Sequence, residues 1–338
     1  MKHPASEHRT RIASLDALRT IAIFAVIVIH AKPFWREGTT VFDSLPVMIN
    51  QAMRFAVPAF FLMTGYLLAM GGYRLGRQVR RLIMIWLLWS LVYLIFIPDF
   101  AVAWMESGYR AIYWNLLSLL HHPGSLLYSG TRIHLWFLAA SALAVAVLAL
   151  WRRTIKSEPS LLVAILLYGI GLLHGNYAWL LGGGAPTPVP ASYWFASGLV
   201  MLGAWFQGVR DTPRLASGVC LMLSGVALHY AEGFLLSSHR QVAPVDLDML
   251  AGTLAWACGL LMIALAKPDF SKGSALVALG PYTLGIYAIH LLVLDAIRPW
   301  WPGGTWSAGL LMPVVVYAVS LLLVVGIARV ACLKPFVK

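Results

Sequence analysis

Ten stretches of mainly apolar residues recur along this chain, near 15–33, 52–70, 82–98, 134–151, 160–177, 191–209, 216–236, 248–266, 274–296 and 308–330. An α-helix rises about 1.5 Å per residue, so roughly 20 such residues match the hydrocarbon core of a bilayer, about 30 Å thick. A helix also pairs its own backbone groups, as lipid demands. The expectation is an all-α polytopic membrane protein of about ten transmembrane helices. Composition agrees, with 60% of the 338 residues hydrophobic and only 11% charged. No soluble domain, low-complexity linker or internal repeat stands out. Residues 14–332 read as one transmembrane domain between short cytoplasmic tails at 1–13 and 333–338.

The formal net charge of +12 would suit a nucleic-acid partner if it were gathered on one surface. Instead it follows the spans. With connections alternating sides from a cytoplasmic N-terminus, seventeen Lys and Arg fall inside, among them Arg74, Arg77, Arg80, Arg81, Arg152 and Arg153. Seven fall outside, Lys32, Arg36, Arg54, Arg110, Arg132, Arg240 and Arg298, and only Arg19 lies within a span. That is the positive-inside asymmetry, which predicts both termini in the cytoplasm and makes the charge an orientation signal for the lipid bilayer. No nucleic acid is implied. Trp35, Trp104, Trp114, Trp136, Trp179, Trp194, Trp300, Trp301 and Trp306 lean to the external side, as an interfacial belt or as a stacking surface for a sugar.

The first span, SLDALRTIAIFAVIVIHA at 14–31, carries the costliest pattern. Ser14 is an N-cap candidate, Asp16 and Arg19 occupy the first turns, and His30 closes the apolar run. At about 100° per residue, the steps from Arg19 to His30 return to the same helix face about 16 Å further along the axis. Asp16 lies on that stripe, three residues before Arg19, where it can hold the guanidinium. Ionisable groups inside a membrane helix are expensive and mark function. Asp16 and Arg19, with no small-residue cleavage site after His30, argue against a cleaved signal peptide.

The ninth span, GPYTLGIYAIHLLVLD, sets Tyr287 and His290 three apart on one face. His290 lies about as deep as His30, so the two imidazoles are expected to meet. Between the second and third spans, GGYRLGRQVRRL gathers Arg74, Arg77, Arg80 and Arg81. These arginines either anchor a cytoplasmic loop or grip phosphates with their planar forks. The external segment 99–133, with Asp99, Glu106, His121, His122 and Arg132, is long enough to be re-entrant or lid-like. The His121–His122 pair has no third ligand at metal spacing, and no metal is expected. His134 falls at an interface, where an imidazole costs little. Glu232 either lines an external cavity or meets water at a helix end. Cys220, Cys258 and Cys332 are isolated, which points to packing and not to a disulfide framework.

Several of these patterns together resemble the acyltransferase-3 family, integral membrane proteins that move acyl groups onto surface polysaccharides, lipopolysaccharide and some small molecules. SLDALRTIAIFAVIVIH matches the family's first-helix signature of Arg or Lys, ten residues, then His, at Arg19 and His30. FFLMTGY at 60–66 is similar to the second-helix pattern, with Thr64 where Ser is more usual. RQVR at 77–80 resembles the Arg-x-x-Arg pattern, HLWFL at 134–138 the fourth-helix entrance, and GPYTLGIYAIH at 280–290 the late helix ending in Tyr-x-x-His. The likeness runs in order along nearly the whole chain. It is that of a short form without an appended periplasmic domain.

The resemblance implies a membrane O-acyltransferase of the bacterial cytoplasmic membrane, most simply an O-acetyltransferase. Its donor would be cytoplasmic acetyl-CoA or another acyl-CoA, and its acceptor a hydroxyl of a surface glycan or an undecaprenyl-linked sugar. On that reading Arg19, Arg77, Arg80 and Arg81 bind the donor's phosphates, and Asp16 supports Arg19. His30 acts as base or acyl relay, with Tyr287 and His290 orienting or completing the relay. The rival is a proton-coupled transporter or a lipid or sugar flippase using the buried His residues, which accounts for the imidazoles but not for the arginines. The charge asymmetry makes a prediction of its own: a reporter fused after Lys338 should be active only in a form that works in the cytoplasm. Activity confined to a periplasmic reporter contradicts the topology.

Overall fold

The computed structural model describes residues 11–34, 42, 44–72, 74–95, 120–121, 124, 128–182, 188–209, 211–240, 247–302 and 305–338. Among these, twelve α-helices and short 3-10 turns form the fold, with no β-strand. The helices are α1 Ala13–Ala31, α2 Leu45–Ala52, α3 Ala56–Met70, α4 Leu75–Ile95, α5 Trp136–Thr154 and α6 Leu161–His174. They continue with α7 Pro188–Gly208, α8 Leu215–Arg240, α9 Ala251–Ala266, α10 Ala275–Leu279, α11 Thr283–Ile297 and α12 Trp306–Ala328. Each of the ten apolar stretches carries a helix. Among the described residues, seven helical segments are long and apolar enough to cross a membrane, two being the pairs α2–α3 and α10–α11, while α6 and α9 are shorter apolar helices. The chain is an all-α, multi-pass membrane protein.

Helix α1 is the axis of the bundle. It packs against α3, α9, α10, α11 and α12. Protein buries 72% of it, against 22% for each of α8 and α12. Helix α12 instead turns Leu310, Leu311, Val314, Leu322 and Leu323 outward, as a lipid-facing helix does. Lys32, in the left-handed conformation at φ 49°, ends α1 by donating its N–H to the Val28 carbonyl at 3.1 Å, and Pro33 follows.

Lipid tails are as apolar as leucine, so helices in a bilayer associate through close packing and polar contacts. Both devices are present. A Cβ on Gly65 of α3 would stand 1.9 Å from the Val200 carbonyl oxygen of α7, and one on Gly203 of α7 would stand 2.0 Å from the Leu62 carbonyl oxygen of α3. Helices α8 and α9 approach as closely, with Gly225 against Trp256 and Gly252 against His229. Buried hydroxyls tie side chains to backbone: Tyr168 donates to the Leu250 carbonyl at 2.7 Å and Tyr93 to the Ala288 carbonyl at 2.9 Å.

Several expectations change. Helix α1 starts at Ala13, with Ile12 at the cap position, so Ser14 is not the N-cap; its hydroxyl donates across to the Ala264 carbonyl of α9 at 2.6 Å. The third helix begins at Leu75, ahead of the expected 82, because the arginine run is itself helical. Ahead of α3 the chain already forms α2, and residues 53–55 turn between them before Pro58 in the first turn of α3. Within residues 333–338, Val337 is buried against Gly285, which has no side chain to exclude it, while Leu333, Lys334, Pro335 and Lys338 are exposed. Residues 99–119 lie outside the described residues, and the lid-like reading lies there with them. The α3–α7 crossing predicts that Gly65→Val lowers thermal stability in detergent by at least the roughly 1–3 kcal/mol typical of overpacking. An unchanged melting temperature would contradict that approach.

Candidate functional site

The N-terminal end of α1 is built around one carboxylate. Asp16 is buried, and it takes ion pairs from Arg11 and from Arg19, the latter at 3.3 Å. Arg11 also donates to the Val277 carbonyl at 2.6 Å, and Thr20 to the Leu276 carbonyl at 2.8 Å, so the end of α10 is tied to α1. A Cβ on Gly280 would meet the Asp16 Cβ at 2.8 Å, so the glycine makes room for the carboxylate.

Beside this anchor, a cleft of about 350 Å³ is lined by Arg19, Thr64, Leu67, Leu68, Arg74, Arg77, Gln78 and Arg81. No carboxylate is among these lining residues. Arg77 and Arg81 sit about 40° apart around α4, whereas Arg80 is turned about 100° from Arg81. Arg80 accordingly lines a neighbouring cleft of about 220 Å³ with Arg77, Arg81, Met84 and Phe336. The four expected cation positions are thus split, and Arg74, noted only as part of the run, joins Arg19. Arg81 also donates to the Lys338 carbonyl oxygen at 3.0 Å.

The C-terminal end of α1 meets two other imidazoles. His30 is half-buried, and its ring centroid lies 5.2 Å from that of His290, which is fully buried. His134 also packs against His290, at 5.3 Å, and it is 1% exposed, enclosed by protein. The physical reason is the turn at Ile133–Leu135, which carries the ring inward before α5 begins. His134 is the residue that spacing alone missed; its presence in the HLWFL motif was the available signal.

Hydrogen bonding fixes the tautomers of the two buried rings. The Tyr287 carbonyl only accepts, so His290 Nδ1, 2.6 Å away, carries the hydrogen and Nε2 the lone pair. His134 Nε2 points to the Ala288 carbonyl at 3.4 Å, which leaves the lone pair on Nδ1. The Tyr287 hydroxyl does not face His30; it donates to the His134 backbone carbonyl and so holds the turn that presents His134. Arg298 donates to the His30 carbonyl at 3.1 Å, and Arg132 pairs with Asp295 beyond the rings.

Glu232 is held by hydrogen bonds. Its carboxylate accepts from the Tyr177 hydroxyl and, at 2.7 Å, from the Gly252 N–H. His229 is likewise satisfied, between Thr253 Oγ1 at 2.8 Å and Gln51 Oε1 at 3.0 Å. What remains with chemical capacity is a cation-lined cleft at one end of α1 and lone-pair imidazoles about 16 Å along the same helix.

Among known proteins, residues 12–330 match the family described as an acyltransferase domain. Two amino-acid racemases of Enterococcus faecalis are also similar, one 25% identical over 168 residues, covering 49% of this chain and 22% of that protein. The other is 27% identical over 188 residues, covering 53% of this chain and 24% of that protein. The matched part is therefore about a quarter of the length of these relatives. No solved structure matches the chain.

Proposed function

The chain belongs to the acyltransferase-3 family, and on that premise we propose that it is an acyl-CoA-dependent O-acyltransferase of the bacterial cytoplasmic membrane, most simply an O-acetyltransferase. The acceptor is a hydroxyl of a surface glycan or of an undecaprenyl-linked sugar. One observation carries the reading: a single continuous helix holds Arg19 in the arginine cleft at one end and His30 against His290 at the other. The racemase name belongs to proteins about four times as long as the matched part, and it is not carried over.

Acyl-CoA is polyanionic at its nucleotide end and uncharged along its pantetheine arm. Arg19, Arg74, Arg77 and Arg81 offer forked donors to the phosphates, with Arg80 contributing from the adjoining cleft. The positive-inside asymmetry puts that end of the bundle in the cytoplasm, where the donor is made. The arm then carries the thioester along α1 towards His30.

His30 packs against the His290 ring, and a nitrogen of the His30 imidazole does the chemistry. That nitrogen either removes the proton of the acceptor hydroxyl as it attacks the thioester, or first takes the acyl group and passes it on. His290 is held for this task by the Tyr287 carbonyl. In either route the ester forms, the C–S bond breaks, and the proton ends on the departing sulfur. A transporter or flippase would use the imidazoles but has no use for a cation cleft without a carboxylate.

Purified protein incubated with radiolabelled acetyl-CoA should transfer the label to a sugar hydroxyl or hydrolyse the thioester. Ion-driven uptake into vesicles without turnover would favour the transporter instead. Charged hydrogen bonds are worth about 1.5–3 kcal/mol each, so Arg77→Ala or Arg81→Ala should weaken CoA binding about tenfold or more, and Arg80→Ala less. Unchanged CoA affinity in both cleft variants would reduce the arginines to loop anchors. His30→Ala should lower transfer by about 10²–10⁴ while CoA still binds, and near-normal transfer in a folded His30→Ala protein rejects the catalytic assignment.

A further inference from the structure

Arg19 stands between two clefts of opposite chemistry. On one side is the arginine cleft, where Arg74, Arg77 and Arg81 join it without an acid. On the other is a second cleft of about 350 Å³, which shares Arg19 and Leu67 with the first. Ile12, Leu15, Met70 and Pro281 make most of its wall apolar, and among them stands one hydrogen-bond acceptor group, the carboxylate of Asp16. Arg11, which also lines this cleft, and Arg19 hold that carboxylate in place, one at each oxygen. A carboxylate has about four lone-pair positions, so two remain for the donors of a ligand. Arg19 spends one N–H on Asp16, and a guanidinium has five, so the rest stay available on the phosphate side. Anchoring two arginines calls for no open apolar cleft beside the acid. A flat, uncharged ring that carries an N–H donor does.

We propose that this second cleft is the base subsite of the donor: the adenine of acyl-CoA lies against the apolar side chains, its 6-amino group donates to Asp16, and its ribose carries the phosphates past Arg19 into the arginine cleft. This rests on the acyl-transfer reading above and names what selects the donor. Each cleft is near the lower end of the roughly 300–1,000 Å³ of ligand pockets, room for one part of a nucleotide and not for the whole of CoA. The apolar wall takes the faces of the base out of water, which the arginines cannot do. Asp16 supplies the discrimination, because a base without the amino group leaves the remaining lone pairs of a buried carboxylate unanswered. A phospholipid head group or free phosphate would occupy the arginine cleft and leave its neighbour empty.

Three probes without an acyl group read the subsite by calorimetry on the purified full chain in detergent. They are adenosine 3′,5′-bisphosphate, the same bisphosphate of purine riboside, which lacks the 6-amino group, and inorganic pyrophosphate. The adenosine probe should bind about tenfold or more tighter than the purine probe, the size of a lost hydrogen bond to a charged group. Met70→Trp fills the cleft from the half-buried end of α3, and should weaken the adenosine probe about tenfold while pyrophosphate is little changed. Arg77→Ala should weaken all three. Equal affinity of the wild type for the adenosine and purine probes, or adenosine binding untouched by Met70→Trp, overturns the base subsite. The wild-type comparison needs no variant, so it decides the matter even if Met70→Trp fails to fold. If acetyl-CoA is turned over while the two nucleoside probes bind alike, acyl transfer stands and only the subsite falls. If the adenosine preference is found and no acyl group is transferred, the nucleotide site stands and the acyl-transfer reading falls.

Discussion

A helix with a guanidinium near one end and an imidazole near the other can cross a bilayer only when other protein surrounds it. Leaving either group against lipid costs several kcal/mol or more. Helix α1 answers this by sitting at the centre, with α3, α9, α10, α11 and α12 around it. At its N-terminal end the solution is ionic, with Asp16 placed between Arg11 and Arg19 in a recess that Gly280 leaves open. At its C-terminal end the solution is aromatic, with His290, His134 and Tyr287 packed in one cluster beside His30. Helix α12 turns ordinary apolar side chains outward, and α4 does the same beyond its arginines.

The two ends are unequal in chemical character. Paired charges on the α10 side anchor α1, while the arginines on the α4 side share their cleft with no acid and keep their capacity for an anionic ligand. Among the rings, the backbone carbonyl of Tyr287, 2.6 Å from His290 Nδ1, settles which nitrogen of His290 keeps its lone pair. A carbonyl has no hydrogen to give, so a short bond to it specifies a tautomer more firmly than a bond to a hydroxyl would. The site is therefore preorganised by main chain on rigid helices, which is how a membrane protein can hold a base in place without water.

Elsewhere the same physics gives a different result. His229 and Glu232 are as ionisable as His30, yet every polar atom they present is matched by a neighbouring hydroxyl, amide or backbone N–H. Saturated networks of this kind hold α8 and α9 to their neighbours. Residual, unmatched hydrogen-bonding capacity separates the imidazole trio from this second cluster.

Sequence alone determined the class and foretold the meeting of His30 and His290. Apolar length dictates membrane helices, and a fixed helical pitch puts Arg19 and His30 on one face whatever surrounds them. The same pitch placed His290 at the depth of His30, and the order of motifs gave the family. Only tertiary structure decided the rest. It separated Arg80 from Arg19 and brought Arg74 in, because a cleft selects residues by their angle around α4. Ser14 moved from a cap to a cross-helix bond, and the Tyr287 hydroxyl turned to the His134 carbonyl. His134 itself, at the entrance of its span in the sequence, packs against His290 because a turn of three residues points its ring inward. Periodicity governs what lies along one helix; which groups of different helices share a space depends on crossings set by glycine contacts and backbone bonds, and no local pattern encodes those.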